Sequence, residues 1–138
     1  MWWIYALLSA LFAALTAVLA KVGIRGVDSN LATAVRTAVV LVLAWSIVYF
    51  RGGLEGIQAL TRTNWLFLVL SGIATGLSWV FYFRALQLGK VSQVAPVDKL
   101  SVALAIGLSV LFLGEKLTLQ TGLGAGLIII GTLVLIWG

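Results

Sequence analysis

Three residues that are awkward inside an apolar segment lie within four positions of one another. The stretch SQVAPVDKLSVAL (residues 92–104) contains Pro96, Asp98 and Lys99. A proline inside a helix has no N–H and clashes with the preceding turn, which leaves backbone carbonyls free. An ionised side chain near the middle of a membrane costs at least ~3 kcal/mol on insertion scales, so it usually marks a pathway or a charge pair. These residues are therefore the first candidates for binding a polar solute or carrying a proton.

The start of the helix that contains these residues decides what they can do. If the helix begins near Ser92, Asp98 lies about 9 Å along it and Pro96 lies in its second turn. Such a broken helix is tolerated only where its backbone faces protein or water, as in transporter binding sites. If it begins at Ala95, Pro96 takes the first position, the helix dipole favours Asp98, and the charges line a vestibule at most. Adjacent opposite charges within a span are rare, which favours the first interpretation.

Arg36 is the other charge within an apolar run, about 8 Å from the predicted start of its helix. Two interpretations remain open: its long stem carries the guanidinium to the headgroups, or the guanidinium lines a cavity. Trp79 and Tyr82, in SWVFYFRAL, add aromatic faces with polar handles. These rings either make ordinary core or lipid contacts or, with an acid nearby, hold an organic cation.

The composition indicates an integral membrane protein. The 138-residue chain is 62% hydrophobic, with nine basic and four acidic residues, and its mean hydropathy is +1.17. A soluble domain of this length needs more polar surface. The absence of cysteine and histidine removes disulfides, thiolate chemistry, the usual zinc ligands and the imidazole base. Because no close pair of acids is present either, we expect no bound metal, no cofactor and no enzymatic activity.

Five apolar runs are long enough to cross a bilayer as helices. No basic residue precedes the first run, so we expect it to be retained rather than cleaved as a signal peptide. Residues 51–64 space Leu54, Ile57 and Leu60 at helical intervals, which predicts a short helix on the membrane surface. The predicted fold is all-α and polytopic, a single domain over residues 1–138 with spans at approximately 2–20, 31–50, 65–83, 91–113 and 119–137.

The basic residues are scattered over the junctions between the apolar runs, which argues against binding of nucleic acid. At these junctions they set topology and meet lipid headgroups. Four basic residues in the loops on one side of the membrane, against three on the other, slightly favour an outside N-terminus and leave insertion in both orientations open. Alternate loops carry Lys21, Arg25, Arg84 and Lys90 on one side and Arg51, Arg62 and Lys116 on the other.

Glycines recur every fourth residue in two of the runs, at Gly72 and Gly76 and at Gly122 and Gly126. Small residues at this spacing let helices approach closely in lipid. They indicate either packing within one subunit or a seam between two.

The order of these features resembles the EamA-type domain of the drug/metabolite transporter superfamily. In PVDKLSVALAIGLSVLFLGEKLTLQTGLGAGLIIIGTLVL, Pro96 opens a helix, Gly114 and Glu115 end it, and a final helix carries Gly122 and Gly126. Upstream, AALTAVLAKVGIRG and ATAVRTAVVL look like the first two helices of the family, including its arginine at Arg36. FYFRALQLGKVSQVAP is similar to the exit of its third helix. The resemblance covers essentially the whole chain.

Many members of that superfamily carry two such domains in tandem as ten spans. The resemblance therefore implies half of a ten-helix transporter, the five-span single-domain branch, completed by a second copy in a homodimer. An antiparallel pair would repeat the inverted symmetry of tandem transporters. The implied function is secondary transport of small organic solutes, drug or metabolite, by alternating access. The implied location is the cell membrane, in a prokaryote the plasma membrane.

The leading hypothesis is such a transporter, and it assigns roles to the candidate residues. Asp98 and Lys99 are expected to line the substrate cavity, Arg36 to lie near its mouth, and Trp79 and Tyr82 to shape it. One departure concerns the related four-span small multidrug resistance proteins, which rely on a glutamate within the first helix. Here LLSALFAALTAVLAK contains no acid.

The missing glutamate leaves Asp98 as the expected proton carrier if protons drive transport. Asp28 and Glu55 lie in predicted loops, and Glu115 lies at a helix end, where a structural role is expected. An alternative function is a non-transporting membrane subunit, or a half-transporter that requires a different partner chain. A channel is unsupported, because one Asp98 per subunit makes a poor selectivity ring.

Overall fold

The protein consists of helices throughout the part of the chain that the computed structural model describes, residues 1–137. No strand occurs among these residues. Five helical stretches are long and apolar enough to cross a membrane, so the prediction of an all-helical, five-span membrane protein is confirmed. The elements are α1 (Trp2–Gly23), α2 (Ser29–Phe50), a 3₁₀ helix (Gly53–Ala59), α3 (Arg62–Leu88), α4 (Val91–Asp98), α5 (Leu100–Leu113) and α6 (Leu119–Trp137).

Short polar residues and one glycine set several helix ends. The Asp28 carboxylate accepts hydrogen bonds from the backbone N–H groups of Asn30 and Leu31, at 2.9 and 3.0 Å, and so caps α2. α5 ends at Gly114, whose φ of 68° is open to glycine without steric cost. The Thr118 hydroxyl accepts a hydrogen bond from the Thr121 N–H at 3.1 Å, the role expected of a cap for α6.

The helices run past the ends of the apolar runs. The third span was expected at 65–83, whereas α3 covers Arg62–Leu88. Likewise α1 continues to Gly23 and α2 begins at Ser29. A change from apolar to polar side chains marks where lipid ends, but the backbone hydrogen bonds of a helix continue wherever no cap or breaker stops them. The segment after α2 does form a short helix, of the tighter 3₁₀ type.

The chain forms two compact units. One consists of Ala20–Gln87 and holds α2, the 3₁₀ helix and nearly all of α3. Its buried side chains include Ile24, Phe83 and Leu86. The other consists of residues 1–19 and 88–137, and in it α4 and α5 both pack on α6.

Candidate functional site

The fourth span is interrupted close to its two charges. α4 begins at Val91, after an extended Lys90, so Pro96 lies in its second turn. The helix ends at Asp98 and α5 begins at Leu100. This is the arrangement of the first interpretation of the sequence, in which the proline lies inside a broken span.

The break is a local tightening of the helix. The N–H of Lys99 donates to the carbonyls of Ala95 at 3.3 Å and Pro96 at 3.0 Å. The N–H of Val102 then donates to the Lys99 carbonyl at 3.0 Å, a bond between residues three apart. Such 3₁₀ turns within a helix often mark a hinge.

A threonine of α6 holds the break from the side. Thr132 is 3% exposed, and its hydroxyl lies 3.2 Å from the Pro96 carbonyl oxygen and 2.8 Å from that of Ile128 in its own helix. The hydroxyl donates to either oxygen and so connects α6 to the carbonyl at the hinge. The sequence analysis did not select Thr132, although the single hydroxyl side chain in the apolar run LIIIGTLVL marks a position that needs a hydrogen-bond partner.

Asp98 and Lys99 form an ion pair at this hinge. The Lys99 Nζ lies 3.3 Å from the Asp98 Oδ2. The side chains are 57% exposed for Lys99 and 33% exposed for Asp98. Both head groups are therefore open to a solute, to water or to a second protein molecule.

Arg36 occupies a different place, within the unit of residues 20–87. Its guanidinium carbon lies 4.4 Å from the centre of the Trp79 ring and 4.7 Å from that of Phe83. The two rings are four residues apart on α3 and therefore share one face of the helix. The structure thus brings together two predicted site residues, Arg36 and Trp79, and adds Phe83, which the sequence analysis did not select.

One nitrogen of this guanidinium has no hydrogen-bond partner. The Arg36 Nη1 is buried and meets no acceptor among the described residues. Two hydroxyls nearby on α2 are engaged with their own helix: Thr33, one turn before Arg36, donates to the Ser29 carbonyl, and Thr37, the next residue, donates to the Thr33 carbonyl, each at 2.7 Å.

Tyr82 is half-buried beside these rings. Its own ring meets Phe83 edge-on, with centres 5.8 Å apart and planes at 83°. The Trp79 ring, considered above as a face for an organic cation, has Arg36 over it instead. A cation of the protein therefore takes the place that was suggested for a cationic ligand.

Polar side chains tie the turn between α1 and α2 to the end of α3. Lys21 donates to the Leu86 carbonyl. The Gln87 amide donates to the Val27 carbonyl at 2.6 Å and the Ile24 carbonyl at 3.4 Å. A cavity of about 250 Å³ lies here, lined by Lys21, Ile24, Arg25, Gly26 and Gln87. Its lining contains two basic residues and no acid, and the hydrogen bonds join the end of α1 and the turn before α2 to the end of α3.

The remaining motif residues lie on α5 and α6. Gly114 ends α5, and the Glu115 N–H donates to the Ser109 carbonyl at 3.3 Å. The glycines of α6 are uncrowded, since a Cβ atom at Gly122 or Gly126 would meet no atom within 4 Å. Among residues 1–137, no cluster of three acidic, histidine or cysteine side chains could hold a metal ion.

Comparisons with known proteins match residues 1–137 to the EamA-like transporter family. An uncharacterized transporter in the cobO 3′ region of Sinorhizobium sp is 51% identical over 134 residues, which are 97% of this chain and 95% of that protein. An uncharacterized protein of Methanocaldococcus jannaschii is 37% identical over 67 residues, 49% of either chain. The uncharacterized transporter YxxF of Bacillus subtilis is 29% identical over 129 residues, 93% of this chain and 40% of that protein. No solved structure matches the chain.

Proposed function

The chain belongs to the EamA-like transporter family, and from this premise we propose that it is a secondary transporter of small organic solutes. The family and the relatives named as transporters make it a multi-pass membrane transporter. The proposal adds that it works by alternating access, as an antiparallel homodimer, in the cell membrane of a prokaryote.

The observation that carries this mechanism is the hinge in the fourth span. Alternating access needs a span that takes two arrangements around a bound solute. The 3₁₀ turn at Lys99 supplies a bend, and the ion pair with Asp98 places charge at that bend. When a proton neutralises the Asp98 carboxylate, the Lys99 ammonium loses its counter-ion within an apolar span. That loss favours whichever arrangement exposes the ammonium to water, and so shifts the population.

The second candidate region is Arg36 with Trp79 and Tyr82, which we assign to the wall of the solute cavity. An arginine within a span is expensive to keep and usually faces a polar pathway. Here aromatic rings hold it in place.

A homodimer is supported by the lengths of the relatives. The matched part is 95% of the Sinorhizobium protein but only 40% of the Bacillus protein, which leaves room for a second unit of this size in the longer chain. A second copy would supply that half for the shorter kind of chain. The open space at Gly122 and Gly126 offers α6 a surface for close helix contact with it.

The test is counterflow in proteoliposomes with three radiolabelled probes of equal size: benzoate, benzamide and benzylammonium. We expect Asp98→Asn to lower the flux of the transported probe by about tenfold or more, the rate equivalent of ~1.4 kcal/mol. Glu55→Gln, which removes an exposed acid of the 3₁₀ helix, should leave flux unchanged. An Asp98→Asn flux equal to that of the wild type would contradict the assigned role. A strictly monomeric protein without flux would instead favour the non-transporting subunit.

A further inference from the structure

We propose that the solute is an organic anion, whose carboxylate or phosphate oxygens bind the guanidinium of Arg36. This inference rests on the proposed transport function and names the substrate class for the Arg36 region.

Arg36 has no counter-ion within its unit of the fold. It forms no ion pair with any residue of the described chain. Residues 20–87 contain six basic and only two acidic side chains, Asp28 and Glu55. The Asp28 carboxylate caps α2 at its start, and Glu55 lies in the 3₁₀ helix that follows the end of α2. The charge of this unit therefore attracts an anion and repels a cation.

The geometry of the guanidinium leaves donors for a ligand. Contact with an aromatic ring uses the attraction of the cation for the ring face and consumes none of the five N–H groups as an ordinary hydrogen bond. One of these donor atoms, Nη1, is already buried without an acceptor. A buried donor without a partner is costly, and a ligand oxygen removes that cost. The planar fork of an arginine matches the two oxygens of a carboxylate or phosphate.

The aromatic rings contact the Arg36 guanidinium at a point away from the ends of α2 and α3. Arg36 lies seven residues after the start of α2, about 10 Å along it. Trp79 lies nine residues before the end of the antiparallel α3, about 13 Å from that end, and Phe83 lies one turn closer to it. A guanidinium between these rings lies within the span rather than at the headgroup level. The oxygens that bind Arg36 therefore belong to a solute, and the experiment below distinguishes a solute from a lipid phosphate.

The experiment measures binding to the purified full chain in phosphatidylcholine nanodiscs by equilibrium dialysis. The anionic probes are benzoate and phenyl phosphate, and the matched neutral and cationic probes are benzamide and benzylammonium. We expect at least one anionic probe to bind about tenfold or more tightly than benzamide and benzylammonium, the usual range for a hydrogen bond to a charged group. Arg36→Gln should lower that affinity by the same factor, and Arg36→Lys should restore part of it.

Arg62→Gln is the matched control, because it removes an exposed arginine at the start of α3 in the same unit and should leave the affinity unchanged. The inference is overturned if neither anion binds, if benzylammonium binds as tightly, or if Arg36→Gln binds like the wild type. It is also overturned if phosphatidylglycerol in the nanodisc displaces the bound anion, since Arg36 would then be a lipid site. If an anion binds but is not carried in counterflow, the proposed transport function is contradicted and the anion site at Arg36 is not. A benzylammonium flux that depends on Asp98 would contradict only the choice of an anion.

Discussion

At the scale of single residues, the candidate site in the unit of residues 20–87 is Arg36 in contact with the aromatic rings of Trp79 and Phe83. A charge without a counter-ion is tolerated in an apolar span only if something else stabilises it. The faces of aromatic rings attract a cation and supply such a stabilising interaction. The ring of Phe83 is 2% exposed, so the chain itself covers one side of this contact. The contact leaves the hydrogen-bonding edge of Arg36 for other partners, which distinguishes it from a structural ion pair.

Replacing Trp79 tests this contact. Trp79→Leu keeps an apolar side chain but removes the ring face, so we expect the free energy of unfolding to fall by about 1 kcal/mol. Trp79→Phe keeps an aromatic ring, so its free energy of unfolding should fall by less. Unfolding in mixed micelles with increasing SDS measures the difference. The control is Phe81→Leu, a ring on the same helix that is 70% exposed. An equal loss in Phe81→Leu would show that the ring matters only as apolar volume.

At the scale of the elements, the fourth span has a joint between α4 and α5, at Lys99, and a hydrogen-bonded support for it on α6. Pro96 weakens the helix before the joint, because it cannot donate to the preceding turn. The 3₁₀ turn at Lys99 then takes up the bend. Thr132 supports the joint from α6, with one hydroxyl between the carbonyls of Pro96 and Ile128.

Thr132→Val tests the support, because valine has the same shape and lacks the hydroxyl. We expect the protein to lose about 1 kcal/mol of stability, the usual net value of one hydrogen bond. Amide hydrogen exchange of residues 97–102 should become faster, since the joint loses its tie to α6. Thr75→Val serves as the control, because the Thr75 hydroxyl bonds only to the Ser71 carbonyl of its own helix, at 2.9 Å. Unchanged exchange in Thr132→Val would show that packing alone holds the joint.

The sequence predicted the spans well and their ends less well. Apolar runs report which residues meet lipid, so the five spans followed directly from composition and length. The residues of α3 outside 65–83 could not be predicted from hydropathy, because polar residues such as Asn64 and Arg84 end the apolar run without ending the helix. The residue types of Arg36 and Trp79 marked both as candidates. Their contact depends on the rotation of α2 against α3, which one sequence does not encode in any local pattern.

At the scale of the whole molecule, the surface of the chain is apolar and its charges are few. Large aliphatic and aromatic side chains along the spans are exposed, as Leu111 and Phe112 are at 77 and 80%. Lipid is as apolar as these side chains, so exposure alone gives no drive for association, and close packing of small residues becomes the main route to a dimer. The glycine surface of α6 is uncrowded and suits that role. Its partner would be a second copy in the opposite orientation.

The distribution of basic residues makes the orientation directly testable. Four basic residues on one side of the membrane against three on the other give little preference for either insertion. We expect Gln58→Cys in this cysteine-free chain to be labelled by a membrane-impermeant maleimide from both faces of the membrane. Val27→Cys, in the loop on the opposite side of the five-span topology, should behave in the same way. If each cysteine is labelled from one face only, and the two from opposite faces, all copies share one orientation. An antiparallel pair is then impossible, and transport would need a parallel pair or a different partner chain.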